Sequence, residues 1–455
     1  MPDIQIEARD ILCGDRTVTR HSVPMLRERY DTVTHESGLK VAVFPKRAAS
    51  GCAMLSVRFG AQDSCFALPT GEYQTPRGVA HFLEHKLFTG EDGHDVNEKF
   101  SDIGAESNAW TDHEKTVYLF ESAENFPQAL ALLLDFVTHP YFTEEGIRRE
   151  RGIIDEEIRA GLDDAWEALY EGGMRAMYAA HPVRYRICGS SATIAKITPQ
   201  CLYDSYYAFY RPENMTLTVC AEMETEQVLA VCDRVLRGWN ERCAAHMAGT
   251  HRQYRERPEV VHRRLTCYAP VAKPLFQIGF KDTDIPQNPQ ERLRRETAMN
   301  LVSEIAFSRA GDFYSRLFER GMITPGYSYG YSVTSQFAYH AVTGECDCPE
   351  QVLEAYFRAL ERLDSGGIPE EDLERSRRVL YADFVSDLDF PEDIAELLVE
   401  AQHNGYPLFE PLHAIRTIGR GEIAALLHTM RNTAATALTV VQNKKEQGED
   451  TNELG

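Results

Sequence analysis

The stretch Glu144-Glu145-Gly146-Ile147-Arg148-Arg149-Glu150 returns in altered form as Glu370-Glu371-Asp372-Leu373-Glu374-Arg375-Ser376, 226 residues further on. The register continues, with Ile153-Ile154 matching Val379-Leu380 and Leu162-Asp163 matching Leu388-Asp389. The offset is close to half of the 455 residues. A repeat of that period predicts a duplicated unit and therefore two homologous halves. A single core is excluded on size alone, because a chain this long splits into several. The expected bounds are a first half over 1–240, a polar linker over 241–260 with Gly249 and Pro258, a second half over 261–445 and a polar tail over 446–455.

Local patterns fill in the first half. Residues 39–44 and 53–59 are rich in β-branched and aromatic side chains and predict strands. A Gly/Pro-containing stretch runs to Gly78, with a helix expected directly after it. A second helix is expected over 95–103, strands near 105–111 and 115–121, and long helices over 125–138 and 143–162. Strands alternating with helices place the fold class as α/β (α+β).

The repeat breaks at a chemically telling place. Residues 81–85 read His81-Phe82-Leu83-Glu84-His85, whereas the corresponding region, Ile305-Ala306-Phe307-Ser308-Arg309-Ala310, has no histidine. On a helix, positions four apart lie nearly above one another, and the position three on shares that face. His81 and His85 can therefore each offer a ring nitrogen to one metal ion, with Glu84 beside them as a base for water. The order H-x-x-E-H is that of the inverted zinc peptidases, so the expectation is a peptide-bond hydrolase with metal in one half only. A catalytic zinc also needs a third protein ligand and an open position. The best source is the next acidic helix, where Glu150 and Glu157 stand two turns apart on one face.

Composition narrows the alternatives. The chain carries 70 acidic against 48 basic residues, a formal charge of −22. That field repels phosphate backbones and argues against nucleic-acid binding. No run approaches the roughly 18 apolar residues that cross a bilayer, so no membrane insertion is expected. The start, Met1-Pro2-Asp3-Ile4-Gln5-Ile6-Glu7, has no basic segment followed by an apolar run, and a cytoplasmic location is the expectation. The 11 cysteines are then expected to be reduced and mostly buried. Cys346 and Cys348 form a C-x-C pair without the second pair of a zinc knuckle.

These motifs together resemble the pitrilysin-type, or insulinase-type (M16), zinc metallopeptidases. The likeness begins near Gly38-Leu39-Lys40-Val41 and includes Gly78–His85, the run Gly104-Ala105-Glu106-Ser107-Asn108-Ala109 and residues 150–157. In Phe82-Leu83-Glu84-His85-Lys86, Asp155–Ile158 and Leu202–Tyr210 it is most similar to the bacterial group associated with elongation factor P modification. The resemblance implies two homologous halves, each a duplicated mixed β-sheet with flanking helices, forming a clam-like peptidase shell. It implies one Zn2+ per chain held by His81, His85 and Glu157, with Glu84 as general base and Glu150 outside the ligand set, orienting a ligand or tuning charge. It also implies that Asn108 and Ala109 lie on an edge strand that holds the peptide substrate extended. Trp110 then lines a pocket or packs in the core. Relatives supply an arginine and a tyrosine from the non-metal half to hold the scissile carbonyl. Arg320 and Tyr327 have suitable spacing, with Arg316 and Tyr329 as competitors and the insertion Thr324-Pro325 as a departure from the pattern.

The function so implied is endopeptidase action on unfolded or short peptides in an enclosed chamber, with leader or precursor processing as one job. The partner implied is a second copy, or an M16 subunit lacking the zinc motif. The competing reading, a non-catalytic binding or assembly subunit, goes with a broken metal motif, and here the motif is intact. Manganese or cobalt could replace zinc with the same donors.

Overall fold

The structure, a computed structural model, describes residues 5–91 and 93–444; the tail expected over 446–455 lies outside the described residues. The first half contains β1 (Glu7–Cys13), β2 (Arg16–Val23), β3 (Glu28–Thr34), β4 (Lys40–Pro45), β5 (Gly51–Val57), β6 (Cys65–Leu68), β7 (Gly71–Gln74), β8 (Ala105–Thr111), β9 (Thr116–Ser122) and β10 (Met215–Ala221). Its main helices are α1 (Val79–Leu87), α2 (Val96–Asp102), α3 (Phe126–Thr138), α4 (Glu144–Leu162) and α5 (Ala165–Met177). Eight strands form one sheet in the order β1-β2-β3-β4-β10-β5-β9-β8. β4 and β10 run parallel; the pairs on either side are antiparallel. β8 is an edge strand of that sheet, and α1 packs beside it.

The second half contributes β12 (Arg264–Tyr268), β13 (Leu275–Asp282), β14 (Ser328–Val333), β15 (Ala338–Glu345) and β16 (Thr436–Gln442), ordered β12-β16-β13-β15-β14, after the short β11 (Thr250–His251), which joins β6 and β7 in a small third sheet. The repeat in the sequence appears as geometry. α4 starts at Glu144 and its counterpart, the helix Glu370–Asp387, starts at Glu370; α5 starts at Ala165 and its counterpart, Pro391–Asn404, starts at Pro391.

The last helix of each pair crosses to the other half. α5 lies on β12, β13 and β16, while the helix Pro391–Asn404 lies on β4, β5 and β10. This explains why every residue of β5 and of β10 is buried. Leu55 and Val57 face the core shared with α1 and α3; Cys52 and Met54 face Ile394, Leu398 and Val399 from the second half. A sheet buried on both faces reads as a continuous apolar run, as these strands do. On the reciprocal side, α5 comes so close that a Cβ on Gly173 would run into the Gln277 side chain on β13, and one on Gly172 would meet Cys267 Sγ at 2.7 Å. A helix interior tolerates the entropic cost of glycine, about 1 kcal/mol, where only a bare backbone fits.

The segment 241–260 is tied down rather than slack. β11 pairs with β6, and the Glu256 carboxylate accepts the backbone N–H groups of Ala180 and His181 at 2.5 and 2.7 Å. It also receives Lys281 Nζ at 2.7 Å, from a lysine side chain with no exposed surface. Burial opposes the charge on Glu256, but the Lys281 bond and the N–H groups outweigh it and hold its pKa below the ordinary value. Its ionisation therefore stabilises the fold above the unfolded glutamate value of about 4.3, and that contribution is lost as pH falls through the depressed folded value. Glu256→Ala leaves a buried ammonium unpaired and is expected to cost about 3–5 kcal/mol, measured by urea unfolding at neutral pH. The deficit relative to wild type should shrink in acid; a constant deficit across pH would contradict the ion-pair account.

Candidate metal centre

α1 is aimed by its first residue. Gly78 caps it at φ 92°, and a Cβ there would meet the Cys188 carbonyl oxygen at 2.5 Å. Only glycine combines that left-handed backbone with that approach. From this start the apolar residues Val79, Phe82, Leu83 and Leu87 turn into the core, while His81, Glu84 and His85 face a cavity of about 1650 Å3. α4 crosses the opening. Thr143 caps it by accepting the Gly146 N–H, and Ile147, Ile154 and Ile158 anchor its buried face. Glu150, Ile153 and Glu157 then look into the cavity.

Two segments meet here. Oε1 of Glu157 lies 3.5 Å from His81 Nε2, and its Oε2 lies 3.6 Å from His85 Nε2. The three donor atoms fall within 4.8 Å of one another. Tetrahedral zinc with bonds of 2.0–2.1 Å holds neighbouring donors about 3.3 Å apart, so small side-chain shifts close the set around one ion. Glu150 has a different place. Its Oε1 contacts His85 Nδ1 at 3.1 Å, which leaves Nε2 free to face the shared point. A carboxylate behind a ligating imidazole fixes its tautomer and orientation. The donor set and the supporting carboxylate fit a zinc ion: Glu157 faces both Nε2 atoms, and Glu150 stands behind the His85 ring.

The electrostatics agree. Burial disfavours the charged form of His85, but the Glu150 bond and the Glu84 and Glu157 charges outweigh it and raise its pKa. The bond to His81 holds Glu157 below its ordinary value. Burial also opposes the Glu150 charge, and His85 overcomes it. Glu84 behaves in the opposite way: burial pushes its carboxyl up, only partly offset by His81, Thr111 and His85. A carboxylate of raised basicity at a water site suits proton transfer. Sequence reasoning missed Thr111, whose hydroxyl donates to Glu84 Oε2 at 2.5 Å. No pattern flags it, since it is one threonine at the end of a strand.

β8 forms one wall. The Asp112 N–H donates to Lys115 O, so the alternation of an antiparallel ladder turns the backbone groups of Trp110 and Asn108 toward β9 and those of Ala109 and Thr111 to the open edge. Ala109 N–H donates instead to Oδ1 of its neighbour Asn108. Trp110 lines the cavity and also packs beneath the inter-half core.

Two family models match the chain. "Insulinase (Peptidase family M16)" covers residues 71–190, and "Peptidase M16 inactive domain" covers residues 196–380. An uncharacterized zinc protease of Bacillus subtilis, YmfH, is 32% identical over 90% of this chain and 96% of its own length. The chain belongs to the M16 peptidase family. A second Bacillus subtilis zinc protease, YmxG, is 24% identical over 70% of this M16 chain and 76% of its own. Among solved structures, an M16-like peptidase from Alicyclobacillus acidocaldarius superposes with a TM-score of 0.85 and 26% identity, over 92% of this chain and 99% of that one. Pitrilysin matches with a TM-score of 0.73 and 17% identity; the likeness covers 98% of this chain but 47% of pitrilysin. The mixed α/β fold of two homologous halves is that of these M16 structures, and the stretch 305–310, where the repeat lacks the histidines, falls within the region matched as inactive.

One expected pair is not at the site. The residues lining the cavity, among those described, all come from 81–188. Tyr327 is buried in the core of the second half, where its hydroxyl donates to the Phe307 carbonyl at 2.9 Å. Arg320 ends the helix Asp312–Glu319 at the surface. The reason is the local register: Thr324–Tyr327 form a turn, closed by the Tyr327 N–H on the Thr324 carbonyl, and Tyr327 is buried before β14 begins. The competitors are engaged too, Arg316 with Asp312 and Tyr329 with Glu304. Among the described residues, no helix is long and apolar enough to cross a membrane.

Proposed function

We propose that this M16 chain is a zinc-dependent endopeptidase acting on extended or unfolded peptides, with one Zn2+ per chain held by His81, His85 and Glu157. The observation that carries the reading is Glu157 facing both Nε2 atoms while Glu84 stands beside them outside the ligand set. Zinc in such a site supplies Lewis acidity toward water and toward the peptide carbonyl. The residues do the rest. His81, His85 and Glu157 leave one side open toward the cavity. Glu84, oriented by Thr111, accepts the proton of the attacking water and hands it to the leaving amine. Glu150 holds the His85 ring.

The substrate binds by adding a strand to β8. Its carbonyl displaces Asn108 Oδ1 from the Ala109 N–H, so the edge is kept satisfied until a peptide arrives. Main-chain pairing reads what all peptides share, which suits a broad range of sequences and precursor trimming alike. The residues that line the cavity, among those described, all come from the first half, and pitrilysin has about twice this chain's length. We infer that a second copy, or an M16 partner lacking the zinc motif, closes the chamber and supplies the carbonyl-holding groups that Arg320 and Tyr327 do not bring within the chain.

The test is metal analysis of purified protein together with product mapping from a peptide library, with and without chelator. His81→Ala should lose zinc and cleavage together. Glu150→Gln should keep the ligands but weaken zinc affinity by about 10- to 100-fold in competition with a chromophoric chelator. Chelator-insensitive cleavage by the pure protein would overturn the reading.

A further inference from the structure

The C-x-C pair has no part in the metal centre, yet it is assembled. Sγ of Cys346 lies 3.7 Å from Sγ of Cys348 at the turn between β15 and the 18-residue helix Pro349–Gly366. The Cys348 backbone N–H donates to Cys346 Sγ at 3.2 Å, which folds the first side chain over the second residue. Cys346 is fully buried, and its own N–H is held by the Pro274 carbonyl. Cys348 is partly exposed and is the N-cap of the helix, so a reagent reaches its sulfur first. Between them, Asp347 draws in Lys273 Nζ at 3.3 Å, adding a cation beside the sulfurs. Cys52 and Cys220 also face each other, across β5 and β10, but both are wholly buried and no reagent reaches them.

We propose that Cys346 and Cys348 form a thiol–disulfide exchange site whose substrates are small-molecule disulfides of the glutathione or cystine class. Exposure sets the order of attack. The Cys348 thiolate attacks one sulfur of the small disulfide; a mixed disulfide forms, and one small thiolate leaves and takes up a proton. Cys346, which burial keeps protonated with a pKa pushed up to about 11, gives its proton to solvent and attacks Cys348 Sγ. The Cys346–Cys348 bond forms and the second small thiolate leaves. The protein pair has given up two electrons and the small disulfide has gained them. Bond formation needs the sulfurs to close from 3.7 Å to about 2.05 Å, a side-chain movement in a pair already in contact.

The experiment uses the full chain with its metal, incubated with oxidised glutathione under non-denaturing conditions, quenched in acid and mapped by peptide mass. The wild-type peptide carrying both cysteines should lose two hydrogens and carry no glutathione. Cys346→Ser should stop halfway, with one glutathione retained on Cys348. Cys348→Ser should stay unmodified at Cys346. Cys346→Ala gives the same readout should serine disturb the buried position. A wild-type pair that stays reduced, or a Cys346 variant that takes up no glutathione on Cys348, overturns the proposal.

Discussion

Glu84→Gln retains zinc at the wild-type level and loses about 10²- to 10⁴-fold in peptide hydrolysis, the range that a positioned base contributes. The two halves of this result come from different contacts. Zinc is retained because Glu84 lies outside the set of His81, His85 and Glu157 that converges within 4.8 Å. Hydrolysis is lost because a carboxamide of the same shape cannot accept the proton of water. The fold survives because Gln can still accept the Thr111 hydroxyl that now reaches Glu84 Oε2. The measurement is kcat on a quenched peptide, beside metal content and a melting curve. At about 1.36 kcal/mol per decade, the loss corresponds to about 2.7–5.4 kcal/mol of transition-state stabilisation. Wild-type turnover by the variant would remove Glu84 from the chemistry, and loss of zinc would put it among the ligands instead.

The helical part of the candidate site was legible because its signal is local. His81, Glu84 and His85 follow helical spacing, and α1 runs over Val79–Leu87 as that spacing requires. The proposed third ligand was only half legible. Spacing puts Glu150 and Glu157 on one face, but what separates them is how far along α4 each stands from the histidines: one reaches Nδ1 of His85, the other both Nε2 atoms. The strands 39–44 and 105–111 were read within a residue or so because they are short runs with clear patterns. β1 to β3 went unread. β1 is Glu-Ala-Arg-Asp-Ile-Leu-Cys, almost wholly exposed, so no apolar alternation marks it, and only pairing with β2 makes it a strand. β6 and β7 were hidden in the same way, each four residues long, paired with each other and, through β6, with β11 from far along the chain. The segment around Glu256 reads as polar and loose, yet three-dimensional partners, not composition, decide that its carboxylate is buried. Tyr327 shows the converse: suitable spacing from Arg320 could not reveal that its hydroxyl already had the Phe307 carbonyl.

Expressed alone, residues 5–240 should fail to give a soluble folded half, and co-expression of residues 241–444 should restore one. The cause is the crossing of the two helices, which amphipathic patterns cannot reveal, since they show that a face is apolar but not which sheet covers it. Without the helix Pro391–Asn404 and Phe409 just after it, the faces of β4, β5 and β10 that carry Ala42, Phe44, Cys52, Met54 and Cys220 lose their cover of Ile394, Leu398, Val399 and Phe409. An apolar sheet face left open in water is an aggregation surface. Without the second sheet, α5 likewise loses the ground against which Gly172 and Gly173 pack. The exchange is pinned by polar bonds too: Thr218 Oγ1 donates to the Ala395 carbonyl at 3.0 Å, and Lys115 Nζ reaches Glu400 at 2.7 Å. A single-residue form of the same test is Leu398→Ala, which removes a fully buried side chain from this seam and should cost about 2–5 kcal/mol in urea unfolding. Because α1, which carries His81 and His85, rests on the other face of the same sheet, the unfolding midpoint should fall with it, and both halves should lose structure in one transition. Separate transitions, or a soluble first half that binds zinc by itself, would show that the crossing helices decorate two independent cores rather than join one.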